Sequence, residues 1–576
     1  MLRQVRAHLL MSVALSALLG APAVNLLDGV LGGPPAAAAG TAVLPKGMAP
    51  LQVAGSNDVG PLSQRPMAVT IELALRHQGA LHDLLAGQST PGRADYHHYL
   101  TPADFAARFG PAQASVDAVQ SWAGSHGLSV ASVSPNRTQV RVTGSSASLG
   151  QAMGVAFRVR QEPTGKTYIT TDRPATLPTR LLSATAAVLG LSNLGQVRVP
   201  PEAASASVSA PAASPAAVVP SAVASTASSS PAGIHYPSSY GPQGIDALYH
   251  ASTSTTVGAG QTMAVLAEGD LTQLPPDLRS FEARYGLPQA PLTVKPTGPG
   301  SSDTTDATEW DLDSQYASGL APGASLVVYD APSLYNSDVA AEINQFVTDN
   351  LAKQASFSGG ECELVASYSG MVTAVDAALQ QGAAQGQTLF TASGDVGAAS
   401  CADLESAQGM VFNPPGANYP ASSPYAVAVG GTSVLGSPAR HGEIAWAGGV
   451  GGISVVEGEP SYQAHVGGSY IPGARGVPDV SLDADPNSGY QVTVGAQQEI
   501  VGGTSAASPA WLGFWTTAQA AHGGALGFAN PIIYAEPRSA FHDITAGSQP
   551  PYRATRGYDY TTGRGTPDVT AFINAA

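Results

Sequence analysis

Near the C-terminal end of the chain, Gly502-Gly503-Thr504-Ser505-Ala506 runs into Ala507-Ser508-Pro509-Ala510-Trp511. The string reads as a loop feeding a helix. Its two glycines let the backbone bend sharply and approach a substrate closely. A serine at a helix start has backbone N–H groups and the positive end of the helix dipole beside it. That suits a nucleophile which must bear a developing negative charge. It also suits an ordinary Gly-Thr-Ser cap, so the question turns on whether a base and an oxyanion partner exist elsewhere.

Carboxylates are the candidates. Asp306-Ala307-Thr308-Glu309-Trp310-Asp311-Leu312-Asp313-Ser314 opens a predicted helix, capped by Asp306 or Thr308. Glu309 and Asp313 are four apart and share one helical face. Like charges at that spacing raise one of the two pKa values, and such a pair can serve as base plus supporting acid. The plainer alternative is a solvated acidic first turn favoured by the helix dipole. Asp311 falls on a different face. Ser393-Gly394-Asp395-Val396-Gly397 ends an apolar run. Asp395 is there either a turn aspartate or, when protonated, a hydrogen-bond donor to a tetrahedral oxyanion.

Histidine is the usual base for a serine nucleophile. The C-terminal half holds His235, His250, His441, His465, His522 and His542. None follows a predicted strand with flanking glycines, which favours a carboxylate base. Further on, Phe541-His542-Asp543-Ile544-Thr545 is followed by Thr555-Arg556-Gly557-Tyr558-Asp559. Two carboxylates with backbone carbonyls in Gly-rich loops make a hard oxygen set suited to calcium. On their own they read more simply as a pair of turn aspartates.

The elements that must hold these residues lie downstream of Tyr236. Predicted strands cover 262–267, 325–329, 387–392 and 425–429, with helices over 338–351 and 371–382 between them. Alternation of this kind implies an α/β fold, a mainly parallel sheet with helices on both faces. Function in such sheets gathers at the carboxyl ends of the strands, where Glu268 and Asp395 fall. Residues 40–200 read as a separate α+β module. It has strands at 66–73, 128–130 and 139–142, a helix near 77–85, and a Thr101 cap before Pro102. No acids, bases and nucleophiles are grouped there. Residues 201–234 are nearly all Ala, Ser, Pro and Val, a linker that cannot bury enough side chain to fold and that exposes a cleavage region. Arg3 and Arg6 precede an apolar run from Leu9 to Leu19, followed by small residues, the layout of a secretory signal over 1–39. The run is too short for a membrane anchor.

The chain has 576 residues, 11% of them charged, and a net charge of −16. That balance argues against a nucleic-acid partner. Residues 1–234 hold 15 Lys+Arg and 10 Asp+Glu, a net of +5, and residues 235–576 hold 10 and 31, a net of −21. Parts so charged attract each other. The two cysteines, Cys362 and Cys401, are expected to form one disulfide in an exported chain. No Cys/His run has zinc spacing. An exported binding protein is the alternative to an enzyme, suggested by the Gly/Ala/Ser-rich composition alone.

Together, Gly503-Thr504-Ser505-Ala506 with Pro509, Glu309-x-x-x-Asp313 and Ser393-Gly394-Asp395 resemble the motifs of the sedolisin, or serine-carboxyl peptidase, family, and its kumamolisin-like members most closely. The likeness extends to Ser356–Glu363 and to Tyr236–Tyr249. Residues 40–200, with Leu100-Thr101-Pro102 and Phe105-x-x-x-Phe109-Gly110, resemble the family's activation propeptide. The resemblance implies a subtilisin-like fold over 235–576 and a secreted or periplasmic, acid-acting endopeptidase made as a zymogen. It further implies a monomer with peptide substrates and its own propeptide as intramolecular inhibitor. By it Ser505 is the nucleophile, Glu309 the base and then the acid, Asp313 its orienting partner and Asp395 the oxyanion-hole acid. Glu268 matches an outer acid of the family network, while many relatives carry an aromatic residue where Gly359 stands. The C-terminal strings resemble the family's single calcium site. Asp543 and Asp559 would give it carboxylates, and Ile544, Thr555 and Gly557 carbonyls. Relatives usually have glycine in place of Thr555.

Overall fold

The computed structural model describes residues 44–53, 55–199, 239–254, 256–397, 416–437, 440–495 and 497–576. The expected signal segment, the 201–234 linker and Cys401 lie outside them.

Alternating residues build the N-terminal module. Its main sheet is antiparallel, in the order Ser129–Val133, Gln139–Ser145, Pro66–Leu73, Thr185–Leu189. Val69, Ile71 and Leu73 on one strand and Val140 and Val142 on the next share a core with Val116, Val119, Trp122 and Leu149. That is the period-2 pattern of a strand with one face on its own core. The opposite face carries Thr70, Glu72, Gln139 and Arg141, in register with Ala187 and Leu189. Ala187 and Leu189 belong to the core of the C-terminal half. A helix at Gln78–Gln88 and a second at Pro102–Arg108 follow, the latter with the predicted Thr101 cap in a full capping box and proline at its start.

The C-terminal half is built on one eight-stranded sheet. Its strands are β1 (Thr262–Glu268), β2 (Leu292–Pro296), β3 (Ser325–Ala331), β4 (Gln354–Phe357), β5 (Thr388–Ala392), β6 (Val427–Ser437), β7 (Arg440–Ala445) and β8 (Val480–Asp483). The order is β7-β6-β5-β4-β1-β3-β2, with β8 also paired to β6. All pairings are parallel except β6 with β7. Met263 to Ala267 are all buried, the continuous apolar run of a strand covered on both faces. Strand β6 runs further than the sequence suggests, because its second half, past Val429, finds the antiparallel partner β7.

Among the described residues, four helices of fourteen residues or more flank the sheet: α1 (Ala307–Leu320), α2 (Asn336–Asp349), α3 (Met371–Ala384) and α4 (Thr504–Ala521). Helix α1 packs against α4, and α2 against α3. Gln354 and Ser356, on one face of β4, reach Thr516 and Ser508 of α4 at 3.2 and 2.8 Å. Among the described residues no helix is long and apolar enough to cross a membrane.

Candidate active site

The hairpin Tyr490–Val494/Gln497–Val501 delivers the chain to Gly502-Gly503 and helix α4. Gly503 has φ +115°, and a Cβ there would collide with the Asp395 carboxylate. Only glycine can bring the backbone so close to that acid. Ser505, the second residue of α4, is buried, and its Oγ makes no hydrogen bond among the described residues. Four residues on, Pro509 lies inside the helix. Proline has no N–H, so the Ser505 carbonyl lacks its helical donor. It faces the Ser358 hydroxyl instead, at 3.3 Å.

That same hydroxyl donates to Asp313 Oδ1 at 2.7 Å. Ser358, just past the carboxyl end of β4, thus links the nucleophile helix to α1. Asp313 and Glu309, one helical turn apart, are 0% and 1% exposed. Glu309 to Leu320 are buried without a break. The plainer reading of this segment, a solvated acidic turn, therefore does not apply. Asp306 does occupy the N-cap position, but its side chain makes no capping bond. Its charge instead helps to raise the Glu268 carboxyl. Helix α1 is gripped by the delivering hairpin. The Gln315 side chain donates to Thr493 O at 2.7 Å and accepts from Thr493 N–H at 2.8 Å.

Asp395 follows β5. Its Oδ1 accepts from the Thr504 N–H at 2.8 Å and from the Thr504 hydroxyl at 2.7 Å. The Thr504 hydroxyl in turn accepts from Gly394 N–H at 2.9 Å. Burial pushes the Asp395 carboxyl up to about 6, against the lowering pull of the two Thr504 bonds. Below that pH the group is an acid. With Oδ1 engaged twice as acceptor, Oδ2 is the oxygen able to carry the proton. Glu268 closes β1 and is pushed up to about 7, by burial first and then by Asp306, Asp303 and Asp330.

The N-terminal module reaches this region by its exit segment. Arg198 N–H donates to Gly360 O at 3.0 Å, and Gly360 N–H to Arg198 O at 3.1 Å. This antiparallel bridge lies two residues from Ser358. A Cβ on Gly359 would press on Val197 and on the Phe357 ring, at 2.7 and 2.9 Å. The bare glycine makes room for the exit segment. The module's sheet meets α2 and α3. Asn136 donates to Asn344 at 2.7 Å and to Gln381 at 2.8 Å, Gln139 to Ala340 O at 3.2 Å, and Arg141 pairs with Asp338 at 2.9 Å.

Residues 54–194 match the family model described as the Pro-kumamolisin activation domain. The structure is similar to that of Pseudomonas sedolisin, a serine-carboxyl proteinase complexed with two molecules of pseudo-iodotyrostatin. The TM-score is 0.55 at 32% identity, covering 58% of this chain and 97% of that one. Sedolisin of Pseudomonas sp. strain 101 is 32% identical over 532 residues, which cover 87% of this chain and 85% of that protein. The chain belongs to the sedolisin family. Its members are serine-type peptidases, and the N-terminal module is the family's activation propeptide. Xanthomonalisin of Xanthomonas sp. strain T-22 is 32% identical over 568 residues, and this chain spans 65% of its length.

Two more expectations concern loops of this sedolisin-type half. Both oxygens of Asp543 accept from Gly557 N–H at 3.0 Å. Asp559 Oδ2 accepts from Thr555 N–H at 2.7 Å, while its Oδ1 takes Thr561 and Thr562. The two carboxylates thus hold one turn, 555–557, between them. The carbonyls of Ile544, Thr555 and Gly557 accept no hydrogen bond among the described residues. A set of carboxylate and unclaimed carbonyl oxygens fits a hard cation. Cys362 lies at the end of a two-residue strand after Gly360.

Ser358, Thr504 and Pro509 carry geometry that the sequence reading did not assign. The signal for Ser358 was Pro509, whose place in a helix announces a carbonyl in need of a donor.

Proposed function

We propose that the protein is an exported zymogen of an acid-acting serine-carboxyl endopeptidase. Ser505 attacks the scissile carbonyl while Glu309 takes its proton. Glu309 then gives that proton to the leaving amine as the C–N bond breaks, which leaves an acyl-enzyme. A water deprotonated by Glu309 hydrolyses the ester to free Ser505. Asp313, fixed by the Ser358 hydroxyl, orients Glu309 from one turn away. Asp395, protonated on Oδ2, donates to the tetrahedral oxyanion. The observation that carries this reading is the Asp395 carboxyl, tied to both donors of Thr504 next to Ser505 and held near pH 6 by burial. A carboxyl so placed is a donor in acid and a repelling charge at neutral pH. The product is expected to be a monomer. The exit segment at Arg198 lies across the Gly360 edge of the site, which supports the propeptide as intramolecular inhibitor. Cleavage within the 201–234 linker would then separate it from the peptidase.

One calcium would be held by the carboxylates of Asp543 and Asp559 and the carbonyls of Ile544, Thr555 and Gly557. Its charge would steady the C-terminal loops and take no part in the chemistry. A Cys362–Cys401 disulfide would anchor the loop that follows Asp395. It is supported by the absence of free thiols among the described residues.

The test is kinetic. Ser505→Ala, Glu309→Gln and Asp395→Asn should each lower kcat by at least about a hundredfold on a denatured protein substrate in acid. Near-wild-type turnover of Glu309→Gln would remove the carboxylate base.

A further inference from the structure

Three side chains that the catalytic site does not use converge where the start and the end of the C-terminal region meet. His250 follows the short helix Pro242–Leu248, His542 lies in the strand Phe541–His542, and Asp568 caps the last helix, Val569–Ala575. One ligand atom from each lies within 4.8 Å of the others. We propose that His250, His542 and Asp568 form a binding site for a divalent transition metal of the zinc class.

Four observations support the assignment. His250 Nδ1 is already 2.9 Å from Asp568 Oδ2. His542 Nε2 is buried and makes no hydrogen bond among the described residues. The two rings meet edge to face with centroids 5.9 Å apart. The backbones are tied in place without any metal. Thr570 Oγ1 donates to His250 O at 2.6 Å, Val569 N–H to Tyr249 O at 2.8 Å, Asp568 N–H to Ala540 O at 3.0 Å, and Ala571 N–H to Asp568 Oδ1 at 2.9 Å. The last bond leaves Oδ2 turned toward His250. Tetrahedral zinc with bonds of about 2.0–2.1 Å places its ligands roughly 3.3 Å apart, so side-chain rotations suffice to close the set.

Two imidazoles and one carboxylate select zinc, cobalt or nickel over calcium and magnesium, unlike the all-oxygen set at Asp543 and Asp559. The His250 side chain is 55% exposed, which gives an entry path and room for water in a fourth position. His250 and Asp568 stand 318 residues apart, so a bound metal would staple the start of the peptidase half to its last helix. Phe572 of that helix packs on Trp511 and Trp515 of the nucleophile helix.

Cobalt provides the test. The full chain, carrying Ser505→Ala to prevent self-cleavage, is stripped of metal and titrated with Co²⁺ at pH about 7.5, above the ordinary histidine range. Excess calcium keeps the oxygen set filled. His250 has φ +54°, a left-handed conformation that asparagine tolerates. His250→Asn therefore removes the imidazole while sparing the backbone, and an unchanged melting curve without metal checks this. The expected result is one cobalt per chain with a visible tetrahedral absorption band, displaced by zinc. Affinity should fall at least about tenfold in both His250→Asn and Asp568→Asn. No band in the parent chain, or a band that both variants leave unchanged, overturns the proposal.

Discussion

Asp395 shows how one residue can set a pH requirement. Its carboxyl is held near 6 by burial, so protonation is complete only below that value. Activity should rise as pH falls through about 6, and fall again where Glu309 can no longer accept a proton. Asp395→Asn keeps a donor but has nothing to titrate. Its residual activity should therefore lose the alkaline limb near pH 6, as a pH–rate profile from pH 3 to 8 would read. A limb that stays in place would assign the ionisation to another group. Ser358 is a positioning residue, since it touches Asp313 and the Ser505 carbonyl. A hydrogen bond to an ionisable partner contributes about 1.5–3 kcal/mol. Ser358→Ala should thus lower the melting temperature by a few degrees and kcat about tenfold or more, with KM little changed. Ser358→Thr, which restores the hydroxyl, should recover most of the loss.

At the scale of elements, the local strings were the readable part. Glu309 and Asp313 share a face because a helix repeats every 3.6 residues, and Ser505 starts a helix because two glycines and a threonine precede an apolar run. Strands β1, β3 and β5 stood out as short apolar blocks, within a few residues of their ends. What could not be read is pairing between distant segments. Nothing local says that Ser358 meets Asp313, that β6 extends to find β7, or that His250 stands beside Asp568. The same limit applies to Asp306, whose capping residue type was clear but whose side chain makes no capping bond. The C-terminal turn 555–557 is held by Asp543 and Asp559 through backbone N–H groups, so its stability should depend on what neutralises those two carboxylates. Excess chelator should lower the melting temperature by mass action, and Asp559→Asn should lower it similarly and abolish the chelator effect. A melting curve indifferent to chelator, with no calcium by elemental analysis, would leave only a pair of turn aspartates.

For the molecule as a whole, the buried acids set the direction of the stability curve. Burial raises Asp246 to about 8, Glu268 to about 7, Glu361 to about 8 and Glu363 to about 7. Each folded-state value lies above the unfolded one, near 4. The stabilising contribution is therefore complete below about pH 4 and is lost as pH rises through about 7 to 8. The usual paired carboxylate behaves in the opposite way. Inactive Ser505→Ala precursor should melt at a lower temperature at pH about 8 than at pH about 5, as scanning calorimetry would show. Equal or higher stability at the alkaline end would mean that these acids are ionised in the fold. The propeptide interface adds a fifth acid of this kind. Glu72 is fully buried on the face that meets the peptidase half, and burial holds its carboxyl well above the usual range. The Arg141–Asp338 pair there is partly exposed, and such pairs contribute about 0–1 kcal/mol. Loss of that pair alone is then a small lever for release. Charge between a +5 and a −21 half would have to act through the wider field, and cleavage of the linker would make release irreversible.

Acidification of the intact precursor tests the central claim most directly. Wild-type and Ser505→Ala precursors are shifted from pH about 7 to about 4, the reference range of Asp and Glu. Processing is followed by gel and N-terminal sequencing. The wild type should stay whole and inactive at neutral pH, and in acid cut itself between Ala203 and Ile234 as peptidase activity appears. The Ser505→Ala precursor should remain uncut throughout. Full activity at neutral pH, or equal self-processing of the Ser505→Ala precursor, would contradict the account.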